Sequence, residues 1–304
     1  MYKSNINLNL YKTFYDVAKC GSISKAAKES FTSQPAISKS IKKLEEELGT
    51  QLFYRNLSGV ELTEQGKELL YFVEKSYNNL IIAERNMLET ENLERGKLSI
   101  GMPSNIGSFF LFDKIIEFHK KFPNIEITII TGGTSNLISL LDSHKIDFSI
   151  DTSPINVRLE EGMIVKKLKE VQYGFIVKKG TTLLDANSVK SIRDLRKYPL
   201  ILPIPGTANR NDLDEVLKEN DTSIENIINI HTSEMIIAGV KKDLGIGYVI
   251  NNLVEQEIKN GEIELLDMKE KLPTVEINII YNKHFLTTAP RRFIEEYIEY
   301  DLEL

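Results

Sequence analysis

Residues able to do chemistry are present in this chain, but they are scattered. His119, His144, His231 and His284 lie far apart in the sequence. They are not clustered, and a metal site needs several ligands together. A general base also needs a nucleophile and an orienting group within reach, and no segment supplies that set. Asp147 and Asp151 fall on one face of an expected strand, without a lysine or histidine partner in a recognisable motif. His231 follows another strand, where contact with a small ligand and a structural role are equally open. Gly245 and Gly247 suit a turn and close strand packing, since no further glycine or lysine completes a phosphate loop. The lone cysteine, Cys20, leaves no internal disulfide and no thiolate cluster. It reads as a small buried residue near the end of the first helix. The expectation is a protein that is not an enzyme, with no catalytic residue, metal or cofactor.

The stretch from Ala26 to Gly49 points to different chemistry. Its second helix opens with Ser33, Gln34, Pro35, Ser38 and Lys39, then adds Lys42 and Lys43. A helix fits the DNA major groove, with its N-terminal residues nearest the base edges. Slender side chains there let the backbone approach. Gln34 suits adenine, Lys39 suits guanine acceptors or phosphate, and Pro35 suits a thymine methyl. Ser33 and the free amides beside it suit a phosphate. Arg55, in the hairpin that follows, suits the minor groove. A solvated lysine face is the alternative for Lys39, Lys42 and Lys43. The short helix, break and capped second helix favour DNA.

Charge supports this locally. The chain of 304 residues has a formal net charge of −6. Residues 1–63 hold 9 lysines and arginines against 6 acids, so the acidity belongs to the remainder. Attraction to phosphate is local, and a basic head on an acidic body still binds DNA. Hydrophobic content of 41% allows large cores. No apolar run is long enough to span a bilayer and the start of the chain lacks a signal core, so a cytoplasmic protein without membrane contact is expected. Many Ile, Asn and Lys residues fit an AT-rich bacterial genome.

Elements must position these residues. Leu8, Leu10, Tyr11, Phe14, Val17 and Ala18 recur at helical spacing and mark a first helix. Gly21 ends it, and Ser22 caps a short helix over Ile23 to Ser30. Phe31-Thr32-Ser33 makes the break. Ala36, Ile37, Ile41, Leu44 and Leu48 form the buried face of the third helix, and Gly49 closes it. Gln51 to Leu62 reads as a hairpin turning at Asn56 to Gly59. Thr63 and Gly66 open a long helix expected to reach about Glu94. Leu69, Val73, Ser76, Leu80, Ala83 and Met87 give it a heptad seam, with Leu70, Tyr77, Ile81 and Leu88 beside it. Self-pairing explains two stripes better than packing within one chain. After Arg95-Gly96 the pattern becomes α/β with a mostly parallel sheet. Strands are expected at Lys97–Met102, Ile125–Thr131, Ile146–Ile150, Tyr173–Val177, Leu200–Pro203, Asn229–His231, Gly247–Ile250 and Val275–Tyr281. Helices are expected at Phe109–Lys121, Asn136–Ser143 and Pro290–Tyr300, among others.

With these parts in place, the chain resembles the LysR-type transcriptional regulators. The similarity runs from Leu8 through GSISKAAKES, SQPAISKSIKKLEEELG, LFYR and LTEQG, and then through the order of parts. Ile23 stands where an aromatic is common and Gln65 where alanine is common, both away from the expected DNA face. The resemblance implies three parts: a winged helix-turn-helix over 1–63, a linker and dimerisation helix over 64–95, and an effector module over 96–304. That module is periplasmic-binding-protein-like and α/β, with subdomain I at 96–165 and 267–304 and subdomain II at 166–266. It implies a homodimer or dimer of dimers on promoter or operator DNA, with RNA polymerase among its partners. A small, anionic metabolite in the inter-subdomain cleft would modulate DNA binding or bending. Ser104, Asn105, Thr134, Thr207 and Thr232, at strand ends entering helices, are the expected effector contacts. Simple N-capping is the competing role for each. The alternative function is a small-molecule binding protein or enzyme on the same α/β module, with the N-terminal helices used for assembly.

Overall fold

The computed structural model describes residues 6–56, 59–88, 95–152, 155, 157–160, 162–184 and 188–302. It divides into two compact units, Met1–Thr90 with Asp142–Lys145, and Glu91–Leu141 with Ile146–Leu304.

In the first unit, helix α1 (Leu8–Cys20) buries Leu10, Phe14 and Val17, one stripe at helical spacing. The Asn7 side chain caps it by accepting the Asn9 N–H. Gly21 ends it in the left-handed region (φ 62°). Helix α2 (Ile23–Glu29) is capped by Ser22 and buries Ala26 and Ala27. Helix α3 (Gln34–Leu48) is capped by Ser33, has proline in its first turn, and buries Ile37, Ile41 and Leu44. Strands β1 (Phe53–Asn56) and β2 (Gly59–Leu62) pair antiparallel. Part of the expected turn, residues 57 and 58, lies outside the described residues. Phe14 meets Phe53 at 5.3 Å between ring centroids, joining the hairpin to the helical core.

Two glycines here admit no side chain. At Gly59 (φ 143°) a Cβ would lie 2.5 Å from the Gly21 carbonyl oxygen, the same oxygen that accepts the Val60 N–H at 3.1 Å. At Gly66 it would lie 2.2 Å from the Leu52 carbonyl oxygen. Helix α4 (Glu64–Leu88) therefore starts against the hairpin base. Buried Thr63 fixes that start: its hydroxyl donates to the Gln51 carbonyl at 2.8 Å and accepts the Gly66 N–H at 2.9 Å. The expected extension of this helix to Glu94 lies outside the described residues.

The second unit is α/β. Its first half holds β3 (Gly96–Met102), α5 (Ser104–Ile106), α6 (Phe112–Lys121), β4 (Ile125–Thr131), α7 (Thr134–Asp142) and β5 (Phe148–Thr152). Then come β6 (Met163–Lys178), β7 (Leu200–Pro203), α8 (Ala208–Glu219), β8 (Ile227–Ile230), α9 (Ser233–Lys241) and β9 (Ile246–Ile250). It ends with α10 (Glu255–Lys259), β10 (Ile263–Leu265), β11 (Thr274–Asn282) and α11 (Thr288–Phe293). The strands order as β4-β3-β5-β11-β6-β9-β7-β8, with β10 also on β6.

Three expectations change. The sheet is mixed: β3 pairs parallel with β4 and β5, and β7 with β8 and β9, but every pairing of β6 and β11 is antiparallel. The strand expected at Tyr173–Val177 begins ten residues earlier, at Met163. The segment expected as one helix from Phe109 starts at Ser104 and passes through a π-helical turn at Gly107–Leu111, and a second such turn follows α11 at Ile294–Ile298. Strand β6 pairs with β11 as far as Gln172 and with β9 from Tyr173, so the chain passes between the halves inside one strand. The boundary drawn at 165/166 falls within it.

Candidate nucleic-acid interface and effector cleft

Helix α3 presents a capped, exposed N-terminal surface. The Ser33 hydroxyl accepts the Ala36 N–H at 3.4 Å, leaving the first turn ordered and open. Ser33, Gln34, Pro35, Lys39, Lys42 and Lys43 are exposed, and Ser38 is half-buried. Lys42 and Lys43 reach Glu46 and Glu47 at 3.5 and 3.7 Å, while Lys39 makes no ion pair among the described residues. From the hairpin, the exposed Arg55 donates through Nη1 to the Ser38 hydroxyl at 3.4 Å. The hairpin and the helix expected from the sequence to face DNA therefore meet.

Glu45 does more than end the basic stripe. Its Oε1 accepts the Leu52 and Phe53 N–H groups at 2.8 and 3.3 Å and locks the hairpin root to α3. Cys20 is half-buried, and its thiol donates to the Glu29 carboxylate at 3.2 Å. Burial first, then that bond and the Glu29 charge, push the thiol pKa up, away from reactive thiolate.

Phe31 was legible only as part of the break. It is 98% exposed and holds φ 50°, a region that bulky residues rarely adopt. A fully solvated ring in a strained backbone, two residues before the cap of α3, is a feature that packing does not explain.

In the second unit the expected effector contacts sit at the carboxyl ends of strands. Ser104 is exposed at the start of α5, and Asn105 follows it. Thr134 opens α7, and Gly132, just before it, donates to the Met102 carbonyl at 3.2 Å, tying the ends of β3 and β4. Thr207 stands at the N-cap of α8 but turns its hydroxyl back to the Ile204 carbonyl at 2.9 Å. Thr232 caps α9, accepting the Met235 N–H at 3.3 Å. His231 is exposed beside it. Thr207 and Thr232 thus already have local partners.

Arg210, which the sequence did not single out, and Asp151, noted there only beside Asp147, lie near these ends. Arg210 is buried within the first turns of α8. It donates to the Pro203 carbonyl at 2.9 Å, to the Asn229 side-chain oxygen at 2.7 Å and to Asp214 at 2.8 Å. It fastens β7 to β8 below the loop carrying Thr207. Asp151 on β5 is 1% exposed. Its Oδ1 accepts the Thr152 N–H at 2.7 Å, while no described donor bonds Oδ2. Burial raises its pKa, although the Thr152 amide and the neighbouring Thr134 hydroxyl pull it back. Asp147, four residues earlier, accepts the Ser99 N–H at 2.6 Å and serves the strand edge.

Among the described residues there is no group of three metal-ligating side chains, and no helix long and apolar enough to cross a membrane. A winged head with an exposed reading helix, a following long helix and a two-part α/β body define a DNA-binding transcriptional regulator with an effector module. Residues 8–67 match the family described as bacterial regulatory helix-turn-helix protein, lysR family, and residues 91–301 match the LysR substrate binding domain. The chain belongs to the LysR family.

Among its relatives, the HTH-type transcriptional regulator CzcR of Bacillus thuringiensis is 28% identical over 96% of this chain and 94% of its own length. YofA of Bacillus velezensis is 26% identical over 91% and 93%. Full-length OxyR from Pseudomonas aeruginosa has the same fold, with a TM-score of 0.72, 21% identity, and coverage of 98% of this chain and 96% of that one. CbnR solved with its target DNA superposes with a TM-score of 0.53 at 18% identity, over 97% and 99% of the two chains.

Proposed function

We propose that this LysR-type regulator reads promoter DNA through Ser33, Gln34, Pro35, Ser38, Lys39, Lys42, Lys43 and Arg55. The observation that carries this reading is the Arg55 side chain on Ser38, which joins hairpin and reading helix in one exposed surface. Residues 1–63 are the reading head, 64–95 the pairing helix and 96–304 the sensing module. The protein works in the cytoplasm as a dimer or dimer of dimers, alongside RNA polymerase and without catalysis of its own. Pairing is supported by an apolar groove between α1 and α4, lined by Leu8, Tyr11, Phe72, Val73 and Leu80 among others. Leu8, Phe72 and Leu80 are each more than half exposed, and Ala83 and Met87 continue the exposed seam. Burying that surface against a second copy removes it from water at a gain of about 25 cal/mol per Å². A small molecule held in the cleft by Ser104, Asn105, Thr134, Thr207 and Thr232 adjusts DNA binding.

The test is a titration of the full-length protein against DNA from upstream of its own gene and against unrelated DNA of equal length. Binding to the upstream DNA at least about a thousandfold tighter is expected of a specific regulator. Equal affinity for both sequences defeats the reading.

Phe31 belongs to the same surface. Its ring, exposed two residues before the cap of α3, would touch a thymine methyl or deoxyribose when α3 enters the groove. Phe31→Asn, which tolerates the positive φ, should stabilise the head by up to about 1 kcal/mol. The same change should weaken operator binding by about fivefold or more through the lost apolar contact. Chemical denaturation and DNA titration on one preparation read both. A variant with unchanged DNA affinity removes Phe31 from the interface.

A further inference from the structure

Asp151 is a buried carboxylate next to Thr134, one of the expected effector contacts. It is the fourth residue of β5 and lies opposite Asn278 of β11. Alternation along β5 puts it on the same face as Ser149, whose hydroxyl donates to the Gly101 carbonyl at 3.1 Å. The Leu137 side chain of α7 lies against Gly101 on that face too. Asp151 therefore sits under the first turn of α7, beside the Thr134 hydroxyl. Its Oδ2 is buried and has no hydrogen-bond partner among the described residues. A buried carboxylate with an unmet oxygen is costly, and buried polar groups are otherwise satisfied almost everywhere in proteins.

The other half of the module repeats the shortfall. On β9 the Tyr248 hydroxyl is buried without a partner among the described residues, and so is the Asn251 side-chain oxygen just past the end of that strand. Tyr248 stacks on Tyr173 at 5.1 Å between centroids. Burial pushes both tyrosine pKa values up and the nearby Asp212 charge adds to this, while burial also raises Asp212 itself. Among the described residues, buried oxygens without a donor thus stand in both halves, at Asp151, Tyr248 and Asn251, with the Tyr173 ring packed on Tyr248. A carboxylate or amide oxygen accepts hydrogen bonds, and a carboxylate and an aromatic face favour positive charge.

We propose that the effector of this regulator carries a primary ammonium group, and that Asp151 binds it through Oδ2. This rests on the reading of the cleft as the effector site, and it replaces the purely anionic effector expected from the helix N-termini. A zwitterion satisfies both features: its ammonium meets Asp151 and its carboxylate meets the first turn of α7.

The test uses full-length wild-type protein and Asp151→Asn, with calorimetric titration of matched probes. Ethanolamine is paired with ethylene glycol, putrescine with 1,4-butanediol, and each L-amino acid with its α-hydroxy acid. At least one amine should bind wild type roughly tenfold or more tightly than its hydroxyl partner, the worth of one charge-assisted hydrogen bond. That preference should vanish in Asp151→Asn, which keeps the side-chain shape and removes the charge. A preference that survives the substitution overturns the proposal. So does the absence of any amine preference in wild type, a comparison that does not depend on the variant folding. Equal binding of a hydroxy acid by both proteins leaves the cleft as effector site and rejects the ammonium. No binding by any probe rejects the ammonium as well.

Discussion

Operator binding by the paired full-length protein should fall by roughly a thousandfold or more as monovalent salt rises from about 50 to 200 mM. That is the loss expected when six or more phosphates are neutralised. Lys39, Lys42, Lys43 and Arg55 occur twice in a dimer, so the two heads have enough cations for it. Their present partners do not compete strongly. The Lys42–Glu46 and Lys43–Glu47 pairs are exposed and one helical turn apart, and such pairs are worth only a few tenths of a kcal/mol. Exchanging them for phosphate costs little. If Lys42 touches phosphate, Lys42→Ala should lower the slope of log affinity against log salt by roughly two, at about 0.9 for each of two contacts. Sequence preference should not move. Lys39→Ala should instead cost about 1–3 kcal/mol and relax preference at one position if Lys39 reads a guanine. Fluorescence anisotropy at several salt concentrations separates the outcomes. A slope unchanged by Lys42→Ala identifies a solvated lysine.

Arg210→Ala should destabilise the effector module by about 3 kcal/mol or more, because it breaks a buried charge network rather than a surface pair. The Pro203 carbonyl and the Asn229 side-chain oxygen would each lose a donor. Asp214 would lose its partner too, but it is half-exposed and water compensates it. Asp214→Asn should therefore cost under about 1 kcal/mol. Arg210→Lys should rescue little, since one ammonium does not reproduce a fork aimed in three directions. Calorimetry should show the module's transition falling by roughly 6–12 °C in Arg210→Ala, at about 2–4 °C per kcal/mol for a body of this size. A fall as small as that of Asp214→Asn would show that Arg210 does not brace these strands.

Local patterns were readable and distant partnerships were not. Leu10, Phe14 and Val17 announced α1 by spacing alone, and Ser33 and Gly49 marked both ends of α3, because capping is decided within a few residues. The first half of β6, MIVKKLKEVQ, was passed over because its lysines and glutamate mask an alternation that only the neighbouring β11 makes useful. Arg210 was not singled out, because its acceptors at Pro203 and Asn229 come from two other segments. Asp151 looked like half of an acidic pair, and its burial depends on β11 and α7, which no local window contains. Phe31 looked like loop filler because exposure and φ are not written in residue type. Thr207 and Thr232 were expected from their position at helix starts, which the sequence shows, but local hydrogen bonds already engage both.

Strand β6 also limits how the effector module can move. It is one strand of 16 residues, with an irregularity against β11 between Lys167 and Lys169, shared by both halves and changing partners between Gln172 and Tyr173. A strand rises about 3.3 Å per residue and does not stretch. The halves cannot be pulled apart like the shells of a clam on a slack string. Motion between the halves would have to pass along β6 as a twist or bend of the strand. At Gly174 a Cβ would stand 2.1 Å from the Asn251 side-chain oxygen, so the strand is thinnest beside the change of partners. A ligand's signal would then be an angle, carried along a backbone of fixed length, and its size would be set by how far a β-ribbon can be wound.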